Sequence, residues 1–433
     1  MNSLPFNQSE QLIESVSFLK LLEDMYGKDE LLDQKQRYLQ LHESFREHFG
    51  EGEVSLFSAP GRTEICGNHT DHNNGKVLAG SIHFDTIAIA KRVPSNRISI
   101  VSQGYGSKIV IDLTAGSNEG ISQNGTAALI LGICKGFHEF GFEVGGFEAY
   151  LSSNVLSASG LSSSASFEML VCSIMNHFYN HGRIDPVTLS KIGQYAENHF
   201  WNKPSGLLDQ MACAIGGVIA IDFTDSKQPV VKKLDFDLHQ HGYSMLIVNT
   251  GGNHAVLTEA YASIPNEMFS VAQALGANKL AEVRLEDIYR QFEDLRNRVG
   301  DRAVLRALHF FKENERVEML DEALGRKDFP TFMNLINASG NSSWKWLQNC
   351  YLNNEPTEQS ITVALALTES FIGQIGEGAC RVHGGGFAGV ILVILADEYV
   401  QEYQELIKTT IGTEAFMIKI RKQGAICIND NMN

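Results

Sequence analysis

The sequence predicts a mixed fold of helices and strands, of the α+β or α/β class, and three observations lead to this prediction. Apolar residues recur at steps of three and four between Leu12 and Leu22, which indicates a helix. Apolar and polar residues alternate from Val54 to Ser58, which indicates a strand. Segments of both kinds then follow one another along 433 residues, a length that supports two or three domains.

The same patterns place the remaining elements along the chain. Helices are predicted over residues 10–49, 125–140, 163–177 and 189–200 and much of 279–347, and strands over residues 54–58, 86–93, 98–102, 109–113, 147–151, 218–223, 245–249, 390–395 and 416–420. The short polar segment at residues 225–229 is the predicted domain boundary. We therefore expect a helical lead-in over residues 1–50, a first domain over 51–224 and a second domain over 225–433.

Composition and charge limit the classes of partner. Hydrophobic residues make up 43% of the chain and charged residues 20%, as in ordinary globular proteins. The formal net charge of −16 repels a nucleic-acid backbone and an anionic membrane surface, and no run of Lys and Arg offsets it. We expect neither as a partner, whereas backbone amides and Mg²⁺ can still hold a small anion such as ATP.

Cysteine usage and apolar runs bear on the cellular compartment. The seven cysteines are scattered without a C-x-x-C pair, and the first ten residues lack the layout of a signal peptide. The apolar run at residues 390–396 is too short to span a bilayer. We therefore expect reduced thiols and a cytoplasmic protein.

Residues 60–75 form the first motif, PGRTEICGNHTDHNNG, which concentrates an Arg, two His, an Asp and three Asn in a stretch read as a loop between strands. Such a cluster suits a ligand with many hydroxyl groups, each of which needs a donor or an acceptor. A polar surface loop rich in turn-forming residues explains the composition equally well.

Residues 159–166, SGLSSSAS, form the second motif and precede an apolar helix. Small residues let the backbone approach a ligand closely, and free amides at the start of a helix attract phosphate. The motif lacks the G-x-x-x-x-G-K-[ST] pattern of a Walker A loop. A helix capped by Ser after a flexible turn is the alternative.

Two further features carry candidate chemistry. Glu197 precedes Asp209 by twelve residues, and two carboxylates can supply a metal ligand and a base, although two exposed acids explain an isolated pair as well. Asp209 lies among apolar residues and therefore needs a partner or a function. Residues 381–389, RVHGGGFAG, contain three successive glycines, which indicate a tight turn before a strand or a contact with phosphate.

Together and in this order, the four motifs resemble those of the GHMP small-molecule kinases, and within them the galactokinases. Residues 62–75 resemble the galactokinase signature, 159–166 the phosphate loop and 381–389 the late glycine-rich motif. Glu197 and Asp209 fall at the spacing of the metal ligand and the catalytic aspartate. Tyr261 falls at the position of a sugar-contacting tyrosine. The resemblance runs from about residue 55 to the C-terminus and implies two α+β domains with the active site in the cleft between them.

The resemblance also implies roles for individual residues. Asp209 would act as the base or electrostatic partner of the attacking sugar hydroxyl, and Arg62 would lie beside it. Ser164 and Glu197 would bind Mg²⁺. The ATP phosphates would contact Ser159, Gly160, Leu161, Ser162, Ser163, Ser164 and Ala165. The sugar would contact Asn68, His69, Asp71, Gly206 and Tyr261.

The sequence departs from the family pattern at several positions. Asn68 stands where galactokinases usually have a Glu that reaches the exocyclic end of the sugar; this change is compatible with galactose, with the carboxylate of galacturonate, or with arabinose, which lacks the hydroxymethyl group. Glu64 replaces the usual Asn and either pairs with Arg62 or disturbs the site. The aromatic residue that often packs on adenine is missing near Thr126, and residues 262–267 replace a basic run.

The resemblance therefore implies an ATP- and Mg²⁺-dependent kinase that forms galactose 1-phosphate and exists as a monomer or a weak homodimer. One alternative is a related sugar-1-kinase that acts on galacturonate, arabinose or an N-acetylhexosamine. A second alternative is a sugar sensor without catalysis, against which the presence of Arg62, Ser163, Ser164 and Asp209 argues.

Overall fold

The computed structural model describes residues 3–114, 125–156, 161–201, 205–236, 238–251 and 257–432. Its strands are β1 (Leu4–Pro5), β2 (Glu53–Cys66), β3 (Lys76–Arg92), β4 (Arg97–Ser102), β5 (Ile109–Asp112), β6 (Phe147–Ser153), β7 (Val218–Asp222), β8 (Val230–Leu234), β9 (Tyr243–Asn249), β10 (Ala379–His383), β11 (Val390–Ala396), β12 (Ala415–Ile418) and β13 (Ile426–Cys427). Its helices are α1 (Phe6–Glu14), α2 (Val16–Tyr26), α3 (Leu31–Phe49), α4 (Thr126–Glu139), α5 (Ser163–Asn180), α6 (Pro186–Phe200), α7 (Leu208–Ile215), α8 (Thr258–Ala274), α9 (Leu285–Arg290), α10 (Phe292–Val299), α11 (Asp301–Gly325), α12 (Phe329–Ser342), α13 (Ser360–Ile375) and α14 (Val400–Thr410). This mixture confirms the predicted α+β fold.

The N-terminal helical region consists of three helices rather than one uninterrupted helix. Ser15 separates α1 from α2, and its hydroxyl accepts a hydrogen bond from the backbone N–H of Phe18, which makes it the N-cap of α2. Gly27, with a φ of 89°, ends α2. The helical periodicity of the sequence therefore continues through Ser15 and Gly27, although the helix itself is interrupted at both residues.

A first sheet has the strand order β1-β2-β3-β6-β4-β5; β7 pairs with β3, β8 pairs with β7, and β13 pairs with β2. β2 and β3 are antiparallel, and their register shifts between Pro60 and Arg62 and again between Glu64 and Cys66. Such bulges bend a strand and re-aim its side chains. The prediction that residues 60–66 form a loop was wrong, because these polar residues pair with β3 in spite of their turn-like composition.

Helices cover both faces of the first sheet. Side chains of a strand point alternately to opposite faces, and β2 follows this rule. Phe57 and Ala59 lie in the core with α4, α5 and α6, whereas Val54 and Leu56 lie in the core with α1, α2 and α3. The N-terminal helices are therefore one of the two helical layers that cover the first sheet.

A second, antiparallel sheet has the order β10-β11-β9-β12. One face packs against α13 and α14. The other face contributes Ile247 and Leu392 to a core that also contains Leu78 and Val218 of the first sheet and side chains of α11 and α12. The two sheets thus share an apolar core, which also contains Ile65 and Cys66 at the end of β2 and Ala379 at the start of β10.

The strand pairings cross the predicted domain boundary. β8 lies beyond residue 225 but pairs with β7 of the first sheet, and β13 near the C-terminus returns to pair with β2. Within the described residues, we find no helix that combines the length and the apolar character needed to cross a membrane. All seven cysteines lie in the described part of the chain and are free thiols.

Candidate active site

Arg62 and Asp209, the predicted catalytic pair, form an ion pair. Arg62 lies in the bulged part of β2, and Asp209 lies in the first turn of α7. Arg62 Nε is 2.7 Å from Asp209 Oδ1, and the two side chains are 6% and 30% exposed. Burial alone lowers the pKa of the Arg62 guanidinium, but the Asp209 carboxylate outweighs burial and raises this pKa above its usual value. A fixed positive charge therefore adjoins a carboxylate that solvent still reaches.

Ser162 donates a hydrogen bond from its hydroxyl to the second oxygen of the Asp209 carboxylate. Ser162 precedes α5 in a left-handed conformation with a φ of 57°. The backbone N–H of Arg62 donates to the carbonyl oxygen of Leu161 at 3.2 Å. These contacts hold the start of α5 directly against the Arg62–Asp209 pair.

The start of α5 supplies the described part of the predicted phosphate site. Ser163, Ser164 and Ala165 occupy its first turn, where backbone N–H groups have no acceptor within the helix. α5 contains 18 residues, so its dipole adds a partial positive charge at this end. Ser159 and Gly160 lie outside the described residues.

Ser164 and Glu197, the predicted metal ligands, are in contact. Ser164 Oγ donates to Glu197 Oε1 at 3.1 Å, and Gln210 Nε2 donates to Glu197 Oε2 at 3.0 Å. The same Gln210 nitrogen also donates to Glu168 Oε2 at 3.0 Å. A hydroxyl oxygen and carboxylate oxygens are the hard ligands that Mg²⁺ prefers, so the donor set fits this ion.

Asp71 lies against the segment that precedes the catalytic aspartate. Its Oδ2 accepts a hydrogen bond from the backbone N–H of Leu208 at 3.4 Å, and its Oδ1 accepts one from the N–H of His72 at 3.0 Å. A Cβ atom on Gly206 would lie 1.7 Å from Asp71 Oδ2. Only glycine therefore allows the Asp71 carboxylate to sit at this position next to α7.

We expect Gly206→Ala to raise the KM for the sugar at least tenfold, because the added methyl group forces the Asp71 carboxylate out of place; tenfold corresponds to about 1.4 kcal/mol. Steady-state kinetics measure the effect, with melting temperature as a check on the fold. Gly373→Ala in α13 is the matched control, since nothing lies within 4 Å of the position of its added Cβ. An unchanged KM in Gly206→Ala would show that Asp71 does not need its present position.

His69 and Tyr261 both form hydrogen bonds with the glycine-rich segment that follows β10. His69 Nε2 donates to the carbonyl oxygen of Gly385 at 3.0 Å, and the Tyr261 hydroxyl donates to that of Gly386 at 3.1 Å. A Cβ atom on Gly385 would lie 2.4 Å from the Tyr261 ring. Burial, with a further contribution from the neighbouring His72, lowers the pKa of His69 to about 3. His69 is thus neutral near pH 7, with Nδ1 as a hydrogen-bond acceptor.

Asn68, for which a contact with the sugar was predicted, forms its hydrogen bonds inside the protein. Its side chain is fully buried. Its amide nitrogen donates to Glu64 Oε1 at 2.9 Å and to the carbonyl oxygen of Gly384 at 2.7 Å. Its amide oxygen accepts from Asn349 Nδ2 at 2.8 Å and from Ser343 Oγ at 3.4 Å. An amide forms at most about four such bonds, so Asn68 has none left for a sugar hydroxyl.

Glu64 forms an ion pair with Arg381 of β10 rather than with Arg62, at 2.8 Å and with both side chains buried. His383, two residues further along β10, accepts a hydrogen bond at Nε2 from the backbone N–H of Glu64 at 3.0 Å and contacts Thr63 Oγ1 at 3.1 Å. Burial and the nearby Arg62 keep the pKa of His383 well below its usual value. β10 thus fastens the strand that carries Arg62. In the sequence, Arg381 and His383 stand out only as parts of the glycine-rich motif at residues 381–389.

His309 of α11 is a buried polar residue that contacts the backbone of Asn68 beneath the site. Its Nε2 donates to the carbonyl oxygen of Asn68 at 3.0 Å, and its Nδ1 accepts from Ser342 Oγ at 2.9 Å. Burial lowers the pKa of His309 from 6.5 to about 4, in spite of the neighbouring Glu313 carboxylate. Between these two values the unfolded chain binds a proton that the folded chain does not, so this residue makes stability fall as the pH falls below 6.5.

Between pH 7 and pH 5.5, the free energy of unfolding should fall in both proteins. We expect the fall to be about 1 kcal/mol larger in the unmodified protein than in His309→Gln, which lacks the titrating imidazole. Glutamine reproduces one donor and one acceptor without the titration. Urea denaturation at fixed ionic strength measures the difference. His199→Gln, at an exposed position of α6, should follow the unmodified protein. Equal pH slopes for all three proteins would show that His309 does not resist protonation in the folded state.

Comparisons with known proteins agree with this geometry. Residues 43–92 match the family model described as the galactokinase galactose-binding signature, and residues 128–217 match that of the GHMP kinases N terminal domain. The galactokinase of Clostridium tetani is 29% identical over 357 residues, which cover 82% of this chain and 88% of that protein. The galactokinase of Clostridium acetobutylicum is 29% identical over 399 residues, which cover 90% and 98%.

Solved structures show the same likeness. The crystal structure of Lactococcus lactis galactokinase complexed with galactose has a TM-score of 0.78 and 25% identity, and the match covers 90% of this chain and all of that chain. Methanococcus jannaschii mevalonate kinase shares the fold, with a TM-score of 0.59 and 16% identity. The fold, with a helix N-terminus beside an Arg–Asp pair, is that of the GHMP small-molecule kinases. Within that class, the chain is similar to galactokinases in its signature segment, in its sequence over most of its length and in its structure.

Proposed function

We propose that this chain transfers the terminal phosphoryl group of ATP to the anomeric hydroxyl of galactose and so forms galactose 1-phosphate and ADP. The observation that carries the proposal is the ion pair between Arg62 and Asp209. Ser162 joins this pair to the start of α5, and Leu208 joins it to Asp71. The Asp209 carboxylate, the N-terminus of α5, which attracts phosphate, and the Asp71 side chain are thus joined by direct contacts.

The residues suggest how the reaction proceeds. The anomeric hydroxyl replaces the Ser162 hydroxyl as a donor to Asp209, which accepts the proton as the new P–O bond forms. Arg62 stabilises the negative charge on the moving phosphoryl group. The backbone N–H groups of α5 hold the phosphates. Ser164 and Glu197 would hold Mg²⁺, which neutralises phosphate charge when it is bound.

The surroundings of Asn68 favour galactose over the other sugars considered. The expectation of galacturonate or arabinose depended on a direct contact between Asn68 and the exocyclic end of the sugar. The buried Asn68 amide bonds instead to Glu64, Gly384 and Asn349. Relative to the family pattern, Glu and Asn have changed places at positions 64 and 68, and the two side chains bond to each other inside the protein. Asp71, His69 and Tyr261 then remain as the sugar-binding groups.

Release of ADP with ATP and Mg²⁺ tests the proposal against a panel of galactose, galacturonate, arabinose, glucose, N-acetylgalactosamine and N-acetylglucosamine. We expect kcat/KM for galactose to exceed that of every other sugar at least tenfold. A higher kcat/KM for another sugar would show that this sugar, and not galactose, is the substrate. Sugar binding without any turnover would instead make the chain a sensor.

We further propose that the enzyme is cytoplasmic, acts as a monomer or a weak homodimer, and binds a sugar and ATP rather than a nucleic acid or a membrane. The seven free cysteines support a reducing compartment. The net charge of −16 opposes association between copies. Sedimentation at several protein concentrations tests the oligomeric state, and a stable larger assembly would refute it.

A further inference from the structure

A groove of about 600 Å³ opens beside the proposed sugar site. Asp71 lines it, whereas neither Arg62 nor Asp209 does. We call this space the side groove; six of the residues that line it are Asp71, Gln194, Asn198, Asn266, Phe269 and Lys279. Its volume lies within the range of pockets that bind whole small molecules, about 300–1,000 Å³. The side groove is therefore more than the space that one ring hydroxyl needs.

Residues of two helices line the side groove, and we call each set a wall. Gln194 and Asn198 are four residues apart on α6 and so lie on one face of this helix. Asn266 and Phe269 are three residues apart on α8 and share a face likewise. One wall belongs to the first domain and the other to the helical part of the second. Both walls present amide groups, which donate and accept hydrogen bonds.

The first wall is connected to the sugar site. Gln194 Nε2 donates to the carbonyl oxygen of Ser205 at 3.1 Å, and Asn198 Oδ1 accepts from the N–H of Ser205 at 2.8 Å. Ser205 is followed by Gly206, on which the Asp71 carboxylate packs. The side groove and the predicted sugar site therefore share Asp71 and the segment that positions it.

The charges of the side groove favour a neutral ligand rich in hydroxyl groups. Lys279 Nζ donates to the carbonyl oxygen of His72 at 2.8 Å and lies 4.2 Å from the centre of the Phe269 ring. The Asp71 carboxylate balances the positive charge of Lys279 across the same groove, so the lining offers no excess positive charge for an anionic ligand. Amides, a carboxylate and a half-buried aromatic ring suit a saccharide, whose hydroxyl groups form hydrogen bonds while its C–H face packs on the ring.

We propose that the side groove binds a second saccharide unit attached to the galactose ring, so that the enzyme also phosphorylates the free anomeric hydroxyl of an oligosaccharide with galactose at its reducing end. This inference rests on the proposed function. Because Asp71 lines the side groove, a substituent on the ring carbon next to the one whose hydroxyl donates to Asp71 would enter the groove, so that the Asp71 contact is kept and the anomeric hydroxyl stays at Asp209. Both walls then contact the second unit.

The test compares galactose with three disaccharides that carry a second galactose at carbon three, four or six of the reducing galactose. ADP release gives kcat/KM, and phosphorus NMR identifies the anomeric phosphate. We expect at least one disaccharide to reach kcat/KM within tenfold of galactose. Turnover of galactose with none of the three disaccharides would overturn the inference and leave the proposed function intact.

Asn266→Trp is the decisive variant, because Asn266 is exposed and an indole at this position fills the side groove. We expect it to lower kcat/KM for the disaccharide at least tenfold and to leave galactose within twofold. Gln273→Trp, at an exposed position two turns further along α8, is the matched control and should change neither. Equal effects of Asn266→Trp on both substrates, or none on either, would overturn the inference.

Failure of the proposed function gives a different result, namely no turnover of galactose itself. Calorimetric titration of the disaccharides then tests the side groove without catalysis. Binding that Asn266→Trp abolishes would support the side groove as a saccharide site. Binding that this variant leaves unchanged, or no binding at all, would overturn it.

Discussion

Asp209→Asn is expected to lower kcat for galactose by three orders of magnitude or more, because an amide cannot take the hydroxyl proton and lacks the charge that opposes Arg62. The fold should survive the change. Asparagine has the same shape, its Oδ1 still accepts from Arg62 Nε, and the Ser162 hydroxyl can turn to accept from the new amide. Steady-state and single-turnover rates with ATP and Mg²⁺ measure the loss.

Asp222→Asn is the matched control for this variant. Asp222 also pairs with a cation, Lys76 at 3.1 Å, but it is 34% exposed and lies at the end of β7. We expect its kcat to stay within twofold of the unmodified protein. Calorimetry should show that Asp209→Asn still binds galactose. A near-normal kcat in Asp209→Asn would show that another residue acts as the base and that the Arg62–Asp209 ion pair has a structural role.

Elements with a strong local pattern could be predicted from the sequence. The helix expected over residues 125–140 is α4 (Thr126–Glu139), and the strand expected over 98–102 is β4 (Arg97–Ser102). In both, hydrophobic periodicity and length agree. The second half of β2 could not be predicted in this way. Its Pro60, Gly61 and polar residues have the composition of a turn, and only pairing with β3 across two bulges makes them a strand.

The contacts that organise the site join residues far apart in the chain. Arg62 and Asp209 are separated by 147 positions, and Glu64 and Arg381 by 317. A single sequence contains no local signal for such pairs; the motif resemblance suggested the first and missed the second. The role of Asn68 depended on the same tertiary information. Its place in the galactokinase signature suggested a contact with the sugar, whereas its buried position makes it a partner of Glu64.

The N-terminal helices, for which the sequence suggested no role, are fastened to the sheet that carries the site. Asp85 in β3 accepts hydrogen bonds from Arg37 Nη1 of α3 at 2.6 Å, from Tyr26 Oη of α2 at 2.6 Å and from Arg421 Nη1 at 2.9 Å. Ser58 of β2 donates to the same carboxylate. One buried carboxylate thus joins the N-terminal layer, the first sheet and a C-terminal segment of the chain.

Asp85→Asn is expected to lower the free energy of unfolding by about 3–5 kcal/mol, because it leaves two guanidinium groups without a compensating charge in the interior. The side chains of Asp85 and Arg421 are fully buried, and that of Arg37 is 14% exposed. Urea denaturation at pH 7 measures the loss. Asp112→Asn is the control, since Asp112 pairs with an Arg97 side chain that is 65% exposed, and such pairs contribute at most about 1 kcal/mol.

A double variant separates the loss of charge balance from the loss of hydrogen bonds. Arg421→Met in the Asp85→Asn background removes one of the two uncompensated charges, so the double variant should lose less stability than the sum of the two single variants. Strict additivity, or an Asp85→Asn variant as stable as Asp112→Asn, would contradict the role of Asp85. Activity of the folded Asp85→Asn protein should remain, because Asp85 fastens the layers and does not touch the Arg62–Asp209 pair.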